Sequence, residues 1–230
     1  MASSSSAAAH IDHLVIAAHS LAQGVAWCEA VLGVEPGPGG EHPLMGTHNR
    51  LLALGNGTHP NAYLEIIAIN PQAPAPGHRR WFDLDDPGLQ AALRDAPRLI
   101  HFVAQCADAA QASRALSAHG IDRGALRDAS RQTAQGLLEW KITVREDGQR
   151  LFNGVLPTLI QWGEMHPSAS LPDRGLRLQS LRATHPQAKE LRAACAAIGL
   201  GQLAVKEGEA NLSALLQTRK GPVVLDSGGL

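Results

Sequence analysis

The stretch IDHLVIAA at residues 11–18 decides the fold of this chain, because a similar stretch, LIHFVAQ, follows at residues 99–105. Each stretch is apolar and carries one histidine, His13 in the first and His101 in the second. Alternate side chains of a β-strand share one face, so each histidine is expected to share its face with residues two positions away. The repetition predicts two similar units, each contributing an inward-facing histidine to one site.

The composition is typical of a globular protein that has a small molecule as its partner. The 230 residues include 20 basic and 21 acidic side chains, so the formal net charge of −1 does not attract nucleic acid or an anionic membrane. A chain of this length buries a core without disulfides or a structural metal. The cysteines, Cys28, Cys106 and Cys195, are far apart and odd in number, as in proteins of a reducing compartment. We therefore expect a cytoplasmic protein that binds neither nucleic acid nor membrane.

The first residues of the chain carry no recognisable targeting signal. Residues 1–9 lack the basic region and the apolar core of a signal peptide, and we expect them to form a disordered leader. No later run approaches the roughly 18 apolar residues that a membrane-spanning helix needs.

The first unit begins with the strand of His13. Ser20 is a typical N-cap residue and Gly33 a typical C-terminal stop, so the residues between them are predicted to form a helix. Two or three strands then complete the unit around a Gly-rich turn. The helix is predicted over residues 21–32, and the clearest strands over residues 49–54 and 62–69.

The second unit repeats this order after a proline-rich connector, in which one short helix is predicted near residues 88–94. It is expected to contain the strand of His101, a helix and three further strands, with a hairpin turn at Asp147-Gly148. The helix is predicted over residues 108–119, and the strands over residues 136–145, 151–155 and 158–162.

A third unit with the same order is predicted near the C-terminus. Its helix is expected over residues 186–198, and its strands over residues 176–183, 203–205, 210–218 and 221–226. The whole pattern predicts an α+β fold of repeated βαβββ modules. Two modules, residues 10–70 and 98–166, form a domain at 10–170, and the additional βαβββ unit spans residues 171–230.

Four polar residues occupy corresponding places in the first two modules. His13 and His101 lie in the first strands, and Glu65 and Gln161 in the last. Two imidazoles, a carboxylate and an amide oxygen can bind a divalent metal such as Zn, Ni, Fe or Mn. The alternative is that each is a hydrogen-bonded core residue, with Glu65 paired to His13 or to an arginine.

Two short segments carry a resemblance to a known family. The GTHN segment at residues 46–49 and the IQWGEMHP segment at 160–167 resemble those of glyoxalase-like domains of the vicinal oxygen chelate superfamily. The resemblance covers about residues 10–170. It implies paired βαβββ modules that form a cup-shaped mixed sheet, with metal ligands on the first and last strands of each module.

His13, Glu65, His101 and Gln161 match those four ligand positions. Glu65 is then the only anionic ligand, since the last position is Gln161, and this departure argues against an iron dioxygenase with its two histidines and one carboxylate. The resemblance therefore implies a metal-dependent lyase or isomerase, which stabilises an oxyanion on a small molecule with vicinal oxygens. Glu65 is the candidate for proton transfer.

An alternative function and several binding residues follow from the same resemblance. The alternative is a non-catalytic protein of the same fold that binds or sequesters a small molecule. The glycine-rich stretch at residues 37–40 lacks the lysine of a phosphate-binding loop, so no nucleotide cofactor is expected. An exposed sheet edge in the third unit favours a homodimer. The candidate substrate-binding residues are Thr47, His48, Asn49, Trp140 and Trp162.

Overall fold

The computed structural model of the chain describes residues 8–229, and these residues form two β-sheets with four α-helices. The leader predicted at residues 1–9 lies mostly outside this range. Within the range, Ala9 is buried and its N–H donates to the carbonyl of Ile198 at 3.0 Å, so the core already includes this position. No helix in residues 8–229 is long and apolar enough to cross a membrane.

The first module has the predicted order of strand, helix and strands. The Ser20 side chain accepts a hydrogen bond from the Gln23 amide, and Gly33 ends the helix with a φ of 74°, as the capping residues predicted. The elements are β1 (His10–Ala17), α1 (Leu21–Leu32), β2 (Glu41–His42), β3 (Thr47–Ala53) and β4 (Tyr63–Ile69). The short helix α2 (Pro87–Asp95) lies in the connector, where one was predicted.

The second module differs from the prediction in one strand. Residues 151–155 do not form a strand, because Leu151–Gly154 is a 3-10 turn in which Phe152 and Asn153 both have a φ of 52°. The strand that the prediction omitted is Ala125–Thr133, a polar edge strand without the apolar alternation that marks a strand in a sequence. The elements are β5 (Arg98–Gln105), α3 (Ala109–Ser117), β6 (Ala125–Thr133), β7 (Gly136–Val144) and β8 (Thr158–Trp162).

The eight strands of these two modules form one cup-shaped sheet, which confirms the predicted fold class. Its order is β2-β3-β4-β1-β5-β8-β7-β6, so the modules meet where β1 and β5 pair antiparallel. Within each module the first strand is parallel to the last, β1 to β4 and β5 to β8. The first strands of both modules therefore lie at the centre of the sheet.

The third unit is also a βαβββ unit, and it packs within the same chain. Its strand order differs from that of the other modules, because its first strand pairs in parallel with its second strand and not with its last. It shares an apolar core with α1, α3 and the outer face of the large sheet. The elements are β9 (Arg177–Thr184), α4 (Ala188–Ala197), β10 (Ala204–Lys206), β11 (Asn211–Thr218) and β12 (Gly221–Asp226).

The inner face of the cup has a second apolar core, and the connector contributes to it. Trp81, Phe82 and Leu84 of the connector are buried against Val103 and Ile160 of the second module. The segment between the modules therefore packs on the inner face of the cup, and its Trp81 and Phe82 also line the cavity beside the polar site.

Candidate active site

The site begins at a β-bulge in β1. Ile11 pairs with Ala104 and His13 with Val103, which leaves Asp12 without a partner on β5. A bulge of this kind changes the direction of a side chain relative to regular alternation. As a result the carboxylate of Asp12 lies beside the imidazole of His13, with Asp12 Oδ1 2.6 Å from His13 Nδ1.

Asp12 is a buried, ionised carboxylate with three hydrogen-bond donors. Besides His13, Trp162 Nε1 and His166 Nε2 donate to its Oδ2 at 2.8 Å and 3.0 Å. Burial is the largest influence and raises the pKa of Asp12, but the hydrogen bonds and charges of His13 and His166 together bring that pKa well below its usual range. Because an ionised carboxylate only accepts hydrogen bonds, Nδ1 of His13 carries the proton.

The other nitrogen of His13 is turned towards Glu65. Its Nε2 lies 3.7 Å from Glu65 Oε2, and both side chains line the same cavity. The imidazole ring stacks on Tyr63 with the ring centroids 4.5 Å apart. Burial and the charges of Asp12 and Glu65 raise the pKa of Tyr63 well above its usual value, so its hydroxyl stays protonated. His13 is thus held at one nitrogen and by its ring face, while Nε2 faces the cavity.

Glu65 is oriented by neighbouring strands. It lies opposite Val15 in the parallel β1–β4 pair, and its Oε1 accepts a hydrogen bond from Asn49 Nδ2 at 2.6 Å. The Asn49 side-chain oxygen accepts from the Gly40 amide at 2.8 Å and from Arg131 Nη1 at 3.5 Å. These bonds leave Oε2 of Glu65 on the side of His13.

A second histidine, His42, lies behind Glu65 in its neutral form. Burial is the main reason that its pKa is lowered to about 3, and the charges of Arg131 and His13 add to that effect. Its Nε2 accepts from Asn49 Nδ2 at 3.3 Å, so its Nδ1 donates to Thr47 Oγ1 at 3.0 Å. His42 therefore supports Asn49, which in turn orients Glu65.

His101 lies on the same sheet face but away from the cavity. It is 0% exposed and covered by Phe82, with the two ring centroids 5.2 Å apart. Its Nε2 accepts from the Thr158 amide at 3.1 Å, and its Nδ1 donates to the Gly154 carbonyl at 2.8 Å. Burial and the charge of Arg123 lower its pKa well below the usual value, so it is neutral. Both of its nitrogens are engaged within the fold.

Gln161 lies on the opposite face of the sheet. Its Oε1 accepts a hydrogen bond from the Ala109 amide at 3.1 Å, at the start of α3. The inward positions of β8 are taken by Ile160 and Trp162, which pack with the apolar core of the cup. Since side chains of a strand alternate between its two faces, Gln161, which lies between these two residues, points away from the site.

Four of the five candidate substrate-binding residues face the site, and the fifth, His48, does not. Thr47 and Asn49 face the site, where they contact His42. Trp140 and Trp162 line the cavity with their ring centroids 5.6 Å apart, and Trp162 also binds Asp12. The side chain of His48, between Thr47 and Asn49 on β3, is on the other face of the strand.

The four residues matched to metal positions do not fit a shared metal ion. His13 and Glu65 lie together, but both nitrogens of His101 are engaged and Gln161 is on the other face of the sheet. In residues 8–229 no group of three or more His, Cys, Asp or Glu side chains is arranged to hold a metal. The chemistry of the site is therefore derived from Asp12, His13 and Glu65.

Two neighbouring spaces lie beside these groups. The cavity beside His13 and Glu65 has a volume of about 30 Å³. It shares Leu51, Arg131 and Leu138 with a larger cleft of about 820 Å³, which lies between the β6–β7 turn and residues 164–171. The cleft is large enough for a small molecule, and the much smaller cavity adjoins it at these three residues.

Sequence reasoning did not identify several side chains of this site. Asp12, His42, Tyr63, Arg131 and His166 were not predicted to take part. An aspartate inside an apolar strand was the available signal for Asp12, because a buried carboxylate needs partners. The conspicuous IQWGEMHP segment contains His166, which supports Asp12. No comparable signal marks Arg131, which lies in a polar edge strand.

Comparison with known proteins places this chain in a family. The sequence profile described as "Glyoxalase-like domain" matches residues 11–199, and the chain belongs to this glyoxalase-like domain family. The match extends beyond the two modules to β9 and α4 of the third unit. No curated protein sequence is significantly similar to the chain.

Solved structures are similar to this chain at low sequence identity. A hypothetical protein from Staphylococcus aureus has a TM-score of 0.56 at 12% identity, covering 94% of this chain and 84% of that chain. Methylmalonyl-CoA epimerase from Streptomyces coelicolor, as a variant in complex with 2-nitronate-propionyl-CoA, has a TM-score of 0.41 at 17% identity, covering 69% and 98%. The same enzyme from Mycobacterium tuberculosis has a TM-score of 0.38 at 17% identity, covering 74% and 96%.

Proposed function

We propose that this protein is an enzyme of the lyase or isomerase type, which moves a proton on a small molecule with oxygen atoms on adjacent carbons. One observation carries the proposal: His13 is held at Nδ1 by the ionised carboxylate of Asp12, while its Nε2 faces a cavity beside Glu65. A histidine oriented by a carboxylate at one nitrogen is suited to accept and return a proton at the other.

The neighbouring groups support this role. The negative charge of Asp12 stabilises the imidazolium that forms when His13 Nε2 accepts a proton, and stacking on Tyr63 keeps the ring in place. Glu65 Oε2, 3.7 Å from that nitrogen, is a second proton acceptor. A substrate C–H on the carbon next to a carbonyl group is acidic enough to be served by such a pair.

The cleft supports a small-molecule substrate. Its apolar walls, Leu51 and Leu138, continue into the cavity, where Trp140 and Trp162 surround the reacting groups. Exclusion of water by these aromatic rings strengthens the electrostatic effect of Asp12 and Glu65 on any bound molecule. A substrate would enter from the cleft and present its reactive carbon to His13.

The test is exchange of carbon-bound hydrogen with solvent. Dihydroxyacetone, lactaldehyde and pyruvate are incubated with the protein in D₂O, and loss of the C–H signal next to the carbonyl is followed by NMR. We expect exchange of at least one probe, and a rate lower by roughly 10²- to 10⁴-fold in His13→Gln. The matched control is His10→Gln, since His10 is an exposed histidine on the same strand.

Two results would contradict the proposal. A rate that is unchanged in His13→Gln shows that the exchange does not pass through this histidine. Binding of a probe without any exchange, at equal affinity in the parent protein and His13→Gln, indicates the alternative function, a non-catalytic protein that sequesters its ligand.

We also propose that the protein acts as a homodimer in the cytoplasm. The edge strand β12 supports dimerisation, because Val224 on it is 57% exposed. The three cysteines are free and buried, as expected in a reducing compartment. Sedimentation velocity checks the dimer, and a single monomeric species at all concentrations contradicts it.

A further inference from the structure

Arg131 lies at the junction of the cavity and the cleft, and it lines both. The only hydrogen bond of its guanidinium within the described residues is the one from Nη1 to Asn49 Oδ1, at 3.5 Å. The Nε atom of Arg131 is buried and has no hydrogen-bond partner. Among residues 8–229, no carboxylate lies within 4.0 Å of its guanidinium nitrogens.

Arg80 and Arg150 are each paired with a carboxylate, whereas the buried Arg123 donates to the hydroxyl of Thr158. Arg80 pairs with Asp85 at 2.6 Å, and Arg150 pairs with Asp83 at 2.9 Å. A guanidinium stays charged at any ordinary pH, and a buried N–H without an acceptor has a free-energy cost. Arg131 therefore presents a charged guanidinium without an ion-pair partner, at the point where a substrate would enter.

The shape of the guanidinium indicates which anion fits. Its planar guanidinium is a fork of N–H donors that matches the two oxygens of a carboxylate. Asn49 connects this fork to the reacting groups, because it contacts Arg131 with its oxygen and Glu65 with its nitrogen. A carboxylate on Arg131 would thus place the adjacent carbon towards Glu65 and His13.

We propose that Arg131 binds a carboxylate of the substrate, and that the substrate is a small 2-oxo or 2-hydroxy carboxylic acid. This inference rests on the proposed function and narrows it, since the carboxylate and the 2-oxygen are then the oxygens on adjacent carbons. The positive charge of Arg131 also offsets the repulsion between an acidic substrate and Glu65.

The test uses oxalate as the probe, because it carries two adjacent carboxylates and no exchangeable C–H. Its affinity is measured by isothermal titration calorimetry for the parent protein, Arg131→Gln, Arg131→Lys and the control Arg127→Gln. Arg127 is an exposed arginine on the same strand, four positions before Arg131, and it is outside the cleft. Thermal unfolding of each variant verifies that it is folded.

We expect oxalate to bind the parent protein, and Arg131→Gln to weaken binding by roughly ten- to a hundredfold, as for loss of a charge-assisted contact. Arg127→Gln should change the affinity by less than about twofold. Arg131→Lys should lie between the parent protein and Arg131→Gln, because lysine keeps the charge but lacks the fork. Inorganic phosphate should bind less tightly than oxalate.

Several outcomes overturn the inference. These are no oxalate binding by the parent protein up to about 10 mM, equal affinity in Arg131→Gln, or tighter binding of phosphate than of oxalate. The result is independent of the proton-transfer test, since oxalate cannot exchange. If oxalate binds through Arg131 but His13→Gln leaves exchange unchanged, the carboxylate site stands and the proposed reaction fails. If exchange requires His13 but oxalate does not bind, the proposed reaction stands and the carboxylate site fails.

Discussion

His13 and His101 occupy matching positions in the first strands of two modules, and both carry the proton on Nδ1. The partner of that proton differs: an ionised carboxylate, Asp12, for His13 and a backbone carbonyl for His101. The other nitrogen of His13 faces a cavity, whereas that of His101 accepts a hydrogen bond from the Thr158 amide. One histidine is therefore available for chemistry, and the other is part of the structure.

The connector between the modules accounts for much of this difference. It places the ring of Phe82 over His101, and a hydrogen bond of 2.9 Å between Arg150 and Asp83 holds the connector there. Gly154, with a φ of 84°, lets the chain pass so close to β5 that a Cβ atom would lie 2.1 Å from the Ile100 carbonyl oxygen. Its carbonyl is thereby within reach of His101.

The largest expected effect is the loss of stability when the structural histidine, His101, is replaced. His101→Ala removes the partner of the Gly154 carbonyl and the Thr158 amide, and it leaves a buried cavity. We expect a loss of about 3 kcal/mol in the free energy of unfolding, measured with urea. The control, His10→Ala, removes an exposed histidine and should change it by less than about 0.5 kcal/mol. Equal losses in the two variants would show that His101 has no special structural role.

Acid acts on the buried neutral histidines and on Asp12 in different pH ranges. The folded pKa values of His42 and His101 lie below the usual 6.5, that of His42 at about 3. The unfolded chain therefore binds protons below pH 6.5 that the folded chain does not, and stability falls as the pH is lowered. Asp12 acts in a lower range, since its lowered pKa stabilises the fold above about pH 3.8 and that contribution is lost below it.

The measurement is the free energy of unfolding at several pH values between 7 and 4, for the parent protein and His42→Gln. Replacing one such histidine should reduce the slope below pH 6.5 by up to about 1.4 kcal/mol per pH unit. An identical slope in both proteins would mean that His42 takes up a proton in the folded state. NMR titration of its imidazole gives the same information directly.

The smallest expected effect concerns Gln161, the fourth residue of the predicted metal set. Gln161→Ala removes the acceptor of the Ala109 amide at the start of α3, and we expect it to cost about 1 kcal/mol in the free energy of unfolding. Gln161→Glu keeps an acceptor oxygen and should cost less. Neither variant should alter the exchange rate, so a large loss of exchange would place Gln161 in the site after all.

Local patterns predicted much of the fold. The bounds of α1 follow from Ser20 and Gly33, because N-cap and C-terminal stop residues act within one turn of a helix. The third unit followed from apolar alternation and turn glycines. The polar strand β6 could not be predicted, since its pairing with β7, and not an apolar face of its own, keeps it in the sheet.

The sequence by itself determined the repeated βαβββ order and the placement of His13 and Glu65 on one face of the first module, because strand and helix periodicity are local properties. Only the tertiary structure decided which histidine is available. A one-residue bulge turned Asp12 towards His13, strand register put Gln161 on the opposite face, and the connector covered His101. Each of these outcomes depends on residues far apart in the chain, whose contacts no local pattern specifies.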